Sequence, residues 1–137
     1  MKYFLIIILC LISIKSNGLE LTLNQGTVKP TPIAITNLHS IDSTLDKLGK
    51  SISSVVSDNL ERSGLFIPID KKAFIQSTES LSNQPRFEDW KIIKAQHLVA
   101  GKIEANGDKI SIEFRLFDVF AQKQIVAKKY ETSKNNW

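Results

Sequence analysis

The chain is 137 residues long, with 18 basic and 14 acidic side chains, two histidines and one cysteine. That length supports one domain and scarcely two. The basic and acidic residues are interspersed, which argues against the basic stripe of a nucleic-acid-binding protein, and a lone cysteine excludes a disulfide framework.

The opening places Lys2 ahead of an apolar run that ends near Ile14, followed by the polar stretch Lys15-Ser16-Asn17-Gly18. A basic start, a short apolar core and small residues after it make a secretory signal peptide, and Ser16 and Gly18 put the cut after Gly18. The run falls short of the roughly 20 apolar residues that span a bilayer, and Lys15 interrupts it. Cys10 lies inside the run behind Leu9, not at a cleavage point, so lipidation is not expected. Residues 1–18 thus read as a removable export signal and 19–137 as the mature domain. Loss of Lys2 and Lys15 leaves 16 basic against 14 acidic residues, an ordinary solvated surface near +2.

Leu19 to Leu23 alternates apolar and polar residues, the period of a strand, and Asn24-Gln25-Gly26 is a turn signal. Lys29-Pro30-Thr31-Pro32 is an extended connector, because each proline fixes its own φ and pushes its predecessor toward extended geometry. Pro32 to Leu38 reads as a strand, and Ile33, Ala34 and Ile35 suit burial on both faces. Residues 41–63 switch to helical spacing, with Ile41, Leu45, Leu48, Ile52, Val55, Val56 and Leu60 on one stripe. The secure helix covers 48–63 with Ser51 as its cap, and Gly64 is the left-handed stop. Leu65 to Asp70 is short and contains Pro68, so it reads as an edge strand. The mixed stretch 71–85 holds one helical turn at 73–76. A short helix follows over 85–95, with Pro85 near its first turn, acids early and lysines late. Strands at 97–104, 109–119 and 124–132 form a meander. Asn106-Gly107-Asp108 is its first turn, and a change of phase at Phe117 marks a bulge. The order β-β-α-β-α-β-β-β predicts an α/β (α+β) domain: a mixed sheet of five to six strands covered by two helices on one face.

Reactive chemistry finds no motif. His39 and His97 belong to no ligand pattern, and His97 opens a buried strand, where a packed imidazole is the expected state. No Gly-x-Ser-x-Gly elbow or glycine-rich phosphate loop is present, and nucleophilic catalysis needs an activated side chain beside a base. Glu88 and Asp89 are adjacent on a helix and point about 100° apart, so they serve the helix N-terminus. No catalytic residue, metal ligand or cofactor is expected.

Several segments together carry a family likeness. Leu19 to Gly26, then Lys29-Pro30-Thr31-Pro32-Ile33-Ala34-Ile35, then the helix end Val55 to Phe66 with its Asp-x-Leu-x-x-Ser-Gly-x-Phe pattern come in that order. Asp89-Trp90, Val99-Ala100-Gly101-Lys102-Ile103 and Phe114 to Val119 continue it. In order and spacing these segments resemble the N-terminal domain of the TolB family over nearly all of 19–137. The resemblance implies a non-enzymatic periplasmic module of the Tol–Pal system, acting in outer-membrane integrity and in envelope constriction during cell division. In the family the segment after the signal peptide binds the inner-membrane protein TolA. Carried over, that segment is Leu19, Glu20, Leu21, Thr22, Leu23, Asn24, Gln25, Gly26 and Thr27. Strand addition would suit it, with a glycine hinge and a proline connector behind an alternating segment; a plain edge strand at 19–23 is the equal alternative. Family members continue into a β-propeller that carries the surface for the lipoprotein Pal. This chain departs from that pattern, so it is expected to be truncated at its C-terminus and Pal is not carried over. A stand-alone envelope adaptor of the same fold, or a small secreted enzyme, are the competing readings.

Overall fold

In the computed structural model, which describes residues 29–82 and 84–137, the fold is organised around a short strand with no polar face. The export signal and the strand expected at 19–23 lie outside the described residues. Strand β1, Thr31–Ile35, buries Ile33, Ala34 and Ile35 almost completely. Such a strand needs a neighbour on each edge and a layer on each face. Strand β2, Phe66–Pro68, pairs with it in parallel on one edge, and β3, His97–Asn106, pairs in parallel on the other. Strands β4, Lys109–Asp118, and β5, Lys123–Ser133, add antiparallel, giving the order β2-β1-β3-β4-β5. The fold is thus a mixed α+β sheet, and its five described strands fall within the five to six expected.

Parallel pairing needs a long crossover, and each of the two crossovers carries a helix. Helix α1, Asp46–Arg62, links β1 to β2; helix α2, Phe87–Ile92, lies between β2 and β3. The two helices take opposite faces, not the single face expected. One core joins Trp90, Phe87 and Ala95 to Leu98, Ala100 and Phe117. The other joins Leu45 and Ile52 to Ile103, Ile110 and Ile112, with Leu48 packed against it. Leu98 and Ile103 stand on opposite sides of β3, since side chains alternate along a strand. The cause is topological. The first crossover steps outward from β1 to β2, and the second steps back across β1 to β3. Crossovers that share the right-handed sense but move in opposite directions must pass over opposite faces.

Local starts and stops follow side-chain chemistry. The cap of α1 is not Ser51, whose hydroxyl donates to the Lys47 carbonyl at 3.0 Å. Asp42 instead accepts from the Thr44 amide at 2.9 Å and caps a 3₁₀ turn, Ser43–Leu45, that runs directly into the helix. The chain therefore enters the helix a turn earlier than propensity suggests. Four members of the predicted stripe fall outside the core: Ile41 precedes the turn and is fully exposed, Val55 is about half exposed, and Val56 and Leu60 are only half-buried. Gly64 ends the helix at φ +71°, the left-handed stop expected of it. The expected turn at 73–76 is replaced by 3₁₀ turns at Lys71–Ala73 and Glu79–Ser82, the first capped by Asp70, which accepts from the Lys72 amide. The β3–β4 hairpin turns through Gly107, and the β4–β5 pairing slips between Leu116 and Phe117, where the bulge was predicted.

Gly101 sets how closely the α1 side can approach β3. A Cβ there would lie 2.1 Å from the Glu113 carbonyl oxygen and 2.7 Å from Leu38 Cδ2. Gly101→Ala is expected to destabilise the domain at the upper end of the range of about 1–3 kcal/mol for overpacking. Urea unfolding at unchanged m checks this, and Gly64→Ala supplies the contrast, because its cost comes from a strained φ with no atom nearby.

Candidate functional site

The buried polar side chains of this domain hold backbone in place. Ser53 is buried on α1, accepts from the Leu38 amide at 3.0 Å and donates to the Gly49 carbonyl at 2.9 Å. It thereby ties the exit of β1 to the helix. Gln76 does the same on the other face. Its carbonyl oxygen accepts from the Trp90 indole at 3.0 Å and from the Arg86 amide at 2.8 Å, and its amide donates to the Ser80 carbonyl at 3.3 Å. One side chain thus fixes the irregular 71–85 connection, the start of α2 and the largest ring of the core. Trp90 packs edge-on to Phe74 with centroids 5.1 Å apart. Arg115 donates to the Leu81 carbonyl at 3.2 Å and lies over the Phe117 ring.

Two concave surfaces of contrasting character stand out among the described residues. A polar crevice of about 520 Å³ lies beyond the carboxyl end of β1 and is lined by Asn37, His39, Asp46, Lys47, Lys50 and Glu79. Next to it Lys71 donates to Asn37, and burial first, then the charge of Lys50, holds its ammonium below the usual lysine range. Hydrogen bonds from its own backbone amide and from Ser77 hold Glu79 below the usual carboxylate range. Both signs of charge meet here, so the crevice has no net preference for an anion or a cation. The second surface is a groove of about 320 Å³ between α1 and β5, almost wholly apolar. Ile33, Val56, Leu60, Phe66 and Val99 form its floor and helix wall; Phe114, Leu116, Val126 and Tyr130 form the sheet wall, with Lys128 at the rim. Phe114 and Tyr130 meet edge-on at 6.4 Å.

Among the described residues no group of three or more histidine, cysteine or acidic side chains is placed to hold a metal, and no helix is long and apolar enough to cross a membrane. His97 packs edge-on to Phe66 at 6.4 Å, and His39 forms an isolated bridge with Lys102. Glu88 pairs with Lys91 at 2.8 Å and Asp89 with Arg86 at 2.6 Å, each within the first turns of α2. The expected partner-binding residues Leu19 to Thr27 lie outside the described residues. The chain leads from them into β1, whose first amide, on Thr31, donates to the Leu65 carbonyl at 2.8 Å, at the β2 edge of the sheet. Sequence reasoning missed the apolar groove. Its sheet wall comes from β4 and β5 residues that the sequence assigned to strands but to no surface, and only the packing shows that the cover over Ile110 and Ile112 stops short of Phe114, Leu116, Val126 and Tyr130.

Comparison with known proteins places this geometry. The family described as the TolB amino-terminal domain matches residues 19–125. The Tol-Pal system protein TolB of Pelagibacter ubique is 41% identical over 145 aligned residues, covering 98% of this chain and 32% of that protein. The chain therefore spans about a third of the length of this curated relative. Among solved structures, TolB from Acinetobacter baumannii superposes with a TM-score of 0.61 at 22% identity, over 78% of this chain and 24% of that one. The lipoprotein GNA1162 from Neisseria meningitidis gives 0.59 at 14% identity, over 79% and 85%. The LpoB C-terminal domain from Salmonella enterica gives 0.55 at 12%, over 81% and 87%. These structural likenesses speak to the fold alone.

Replacing Gln76 by Leu keeps the volume and removes the acceptor shared by Trp90 and Arg86. A buried donor left without a partner costs about 1–3 kcal/mol, so Gln76→Leu is expected to lower the unfolding free energy by at least that much. Chemical denaturation followed by Trp fluorescence reads it; a change within about 0.5 kcal/mol, the scale of an ordinary surface substitution, would remove Gln76 from this structural role.

Proposed function

The chain belongs to the TolB amino-terminal domain family, and from that membership we propose that it is a non-enzymatic interaction module of the Tol–Pal system, working in the periplasm. The family match over 19–125, joined to 41% identity with a Tol-Pal system protein, carries the reading. The structure supports it in kind. The buried polar groups Ser53 and Gln76 are occupied in bracing backbone, and the open surfaces suit contact better than chemistry.

In this reading residues 1–18 are removed on export, and the mature chain begins at Leu19. Residues Leu19 to Thr27 reach a TolA-like inner-membrane partner by adding a strand to it, which uses main-chain hydrogen bonds for affinity and alternate side chains for specificity. The described domain is the anchor from which that segment extends, and its contribution is to outer-membrane integrity and to constriction at division. No cofactor enters this function.

Deleting 19–27 is expected to abolish capture of TolA while leaving the circular dichroism spectrum and unfolding midpoint of the domain in place. Retained capture by the deletion variant would move the partner site onto the folded body. Edman sequencing of the protein recovered from the periplasmic fraction is expected to start at Leu-Glu-Leu; an intact Met1, or material confined to the cytosol, would overturn the export step.

A further inference from the structure

Strand β5 is an outer edge of the sheet among the described residues, and it is long and exposed along nearly all its length. A free edge of this kind presents a row of backbone donors and acceptors to any strand that fits, and proteins usually guard it with charge or a bulge. Both devices are present here. The bulge lies at the start of the strand, where the register slips between Leu116 opposite Val126 and Phe117 opposite Gln124. From Val126 to Ser133 the strand is regular. Over that regular stretch the charges are Lys128, Lys129 and Glu131, with Lys123 ahead of the bulge. They repel most strands that approach, but their spacing leaves one arrangement in which they attract.

We propose that a second copy of this chain pairs antiparallel along β5, about a two-fold axis at Tyr130, to make one continuous sheet through both molecules. Opposed residues in an antiparallel pair share a face, so only registers that keep the parity of the strand bring like faces together. On one face of β5 lie Tyr130 and Lys128, opposite Ile112 and Phe114; on the other lie Lys129 and Glu131, opposite Glu113 and Ser111. Centred on Tyr130, the two strands oppose Lys129 of each copy to Glu131 of the other, twice by symmetry. Lys128 then meets Thr132, and Ala127 meets Ser133. Centring on Lys129 instead sets that lysine against its own copy, and centring on Glu131 sets the two carboxylates together. Like charges directly opposed in this way are unfavourable. Moving further toward the start of the strand brings the bulge into the pairing and mismatches the faces. The Tyr130 register is thus the one extended pairing free of both faults, and the lysines that protect the edge against other strands select it.

The apolar groove adds a second reason for the same partner. Tyr130 is 55% exposed and Val126 40% exposed, both on the wall of the groove nearest this edge. In the paired form the two Tyr130 rings face each other across the axis, and the apolar walls of both copies lie side by side on one face of the joined sheet.

Sedimentation equilibrium of the purified, exported chain from micromolar to millimolar concentration tests this, with circular dichroism to confirm that each variant folds. The native chain is expected to pass from monomer to dimer. Glu131→Lys is exposed on the edge and is expected to raise the dissociation constant by about tenfold or more, since two attractive pairs become two repulsive ones. Lys129→Glu should do the same, and the double variant Lys129→Glu/Glu131→Lys should restore the native dimer. A chain that stays monomeric to millimolar concentration overturns the proposal. A dimer indifferent to Glu131→Lys, or one that the double exchange fails to rescue, overturns it equally.

Discussion

Everything in this domain is arranged around the burial of β1. Three consecutive residues, Ile33, Ala34 and Ile35, leave the strand with no face for water, and a strand with no solvent face must sit in the interior of a sheet with cover on both sides. That requirement places β2 and β3 on its two edges, both parallel to it. Parallel neighbours in turn require two crossovers. Because the crossovers leave in opposite directions, their right-handed sense sends α1 over one face and α2 over the other. The division of the core into a Trp90 cluster and an Ile52–Ile103 cluster follows from the same strand.

Much of this was legible in the residues because the signals were local. The turn at Gly107, the left-handed stop at Gly64 and the phase change at Phe117 each depend on a few neighbouring residues, and each was found where expected. What was not legible depends on residues far apart in sequence. Whether two helices share a face depends on strand order, which no local window contains. The start of α1 was misplaced because Ser51 satisfies a propensity rule while Asp42, several residues earlier, makes the actual cap for the turn that feeds the helix. Gln76 gave no signal either. It lies in a stretch without periodicity, and its importance comes from Trp90, fourteen positions away.

The candidate site divides the same way. The segment 19–27 was singled out by resemblance alone, and its role is a matter of partner chemistry that the packed domain does not decide. The apolar groove came from shape. Helix α1 lies chiefly against β2 and β1 and reaches β3 at Ile103, so Phe114, Leu116, Val126 and Tyr130 are left lining an open groove. Sequence periodicity reports that a residue faces inward; it does not report whether the layer above reaches that far.

A module of an envelope complex benefits from keeping its rigid and adhesive parts separate. Here the rigid part is the β1-centred core, braced at its irregular turns by Ser53 and Gln76. The two proposed contacts lie at opposite margins: the entry to β1 lies beside the β2 edge, and β5 forms the other edge. Because β1, β3 and β4 intervene between the two edges, a strand added at one margin would leave the backbone groups of the other free, and the two proposed contacts would not compete.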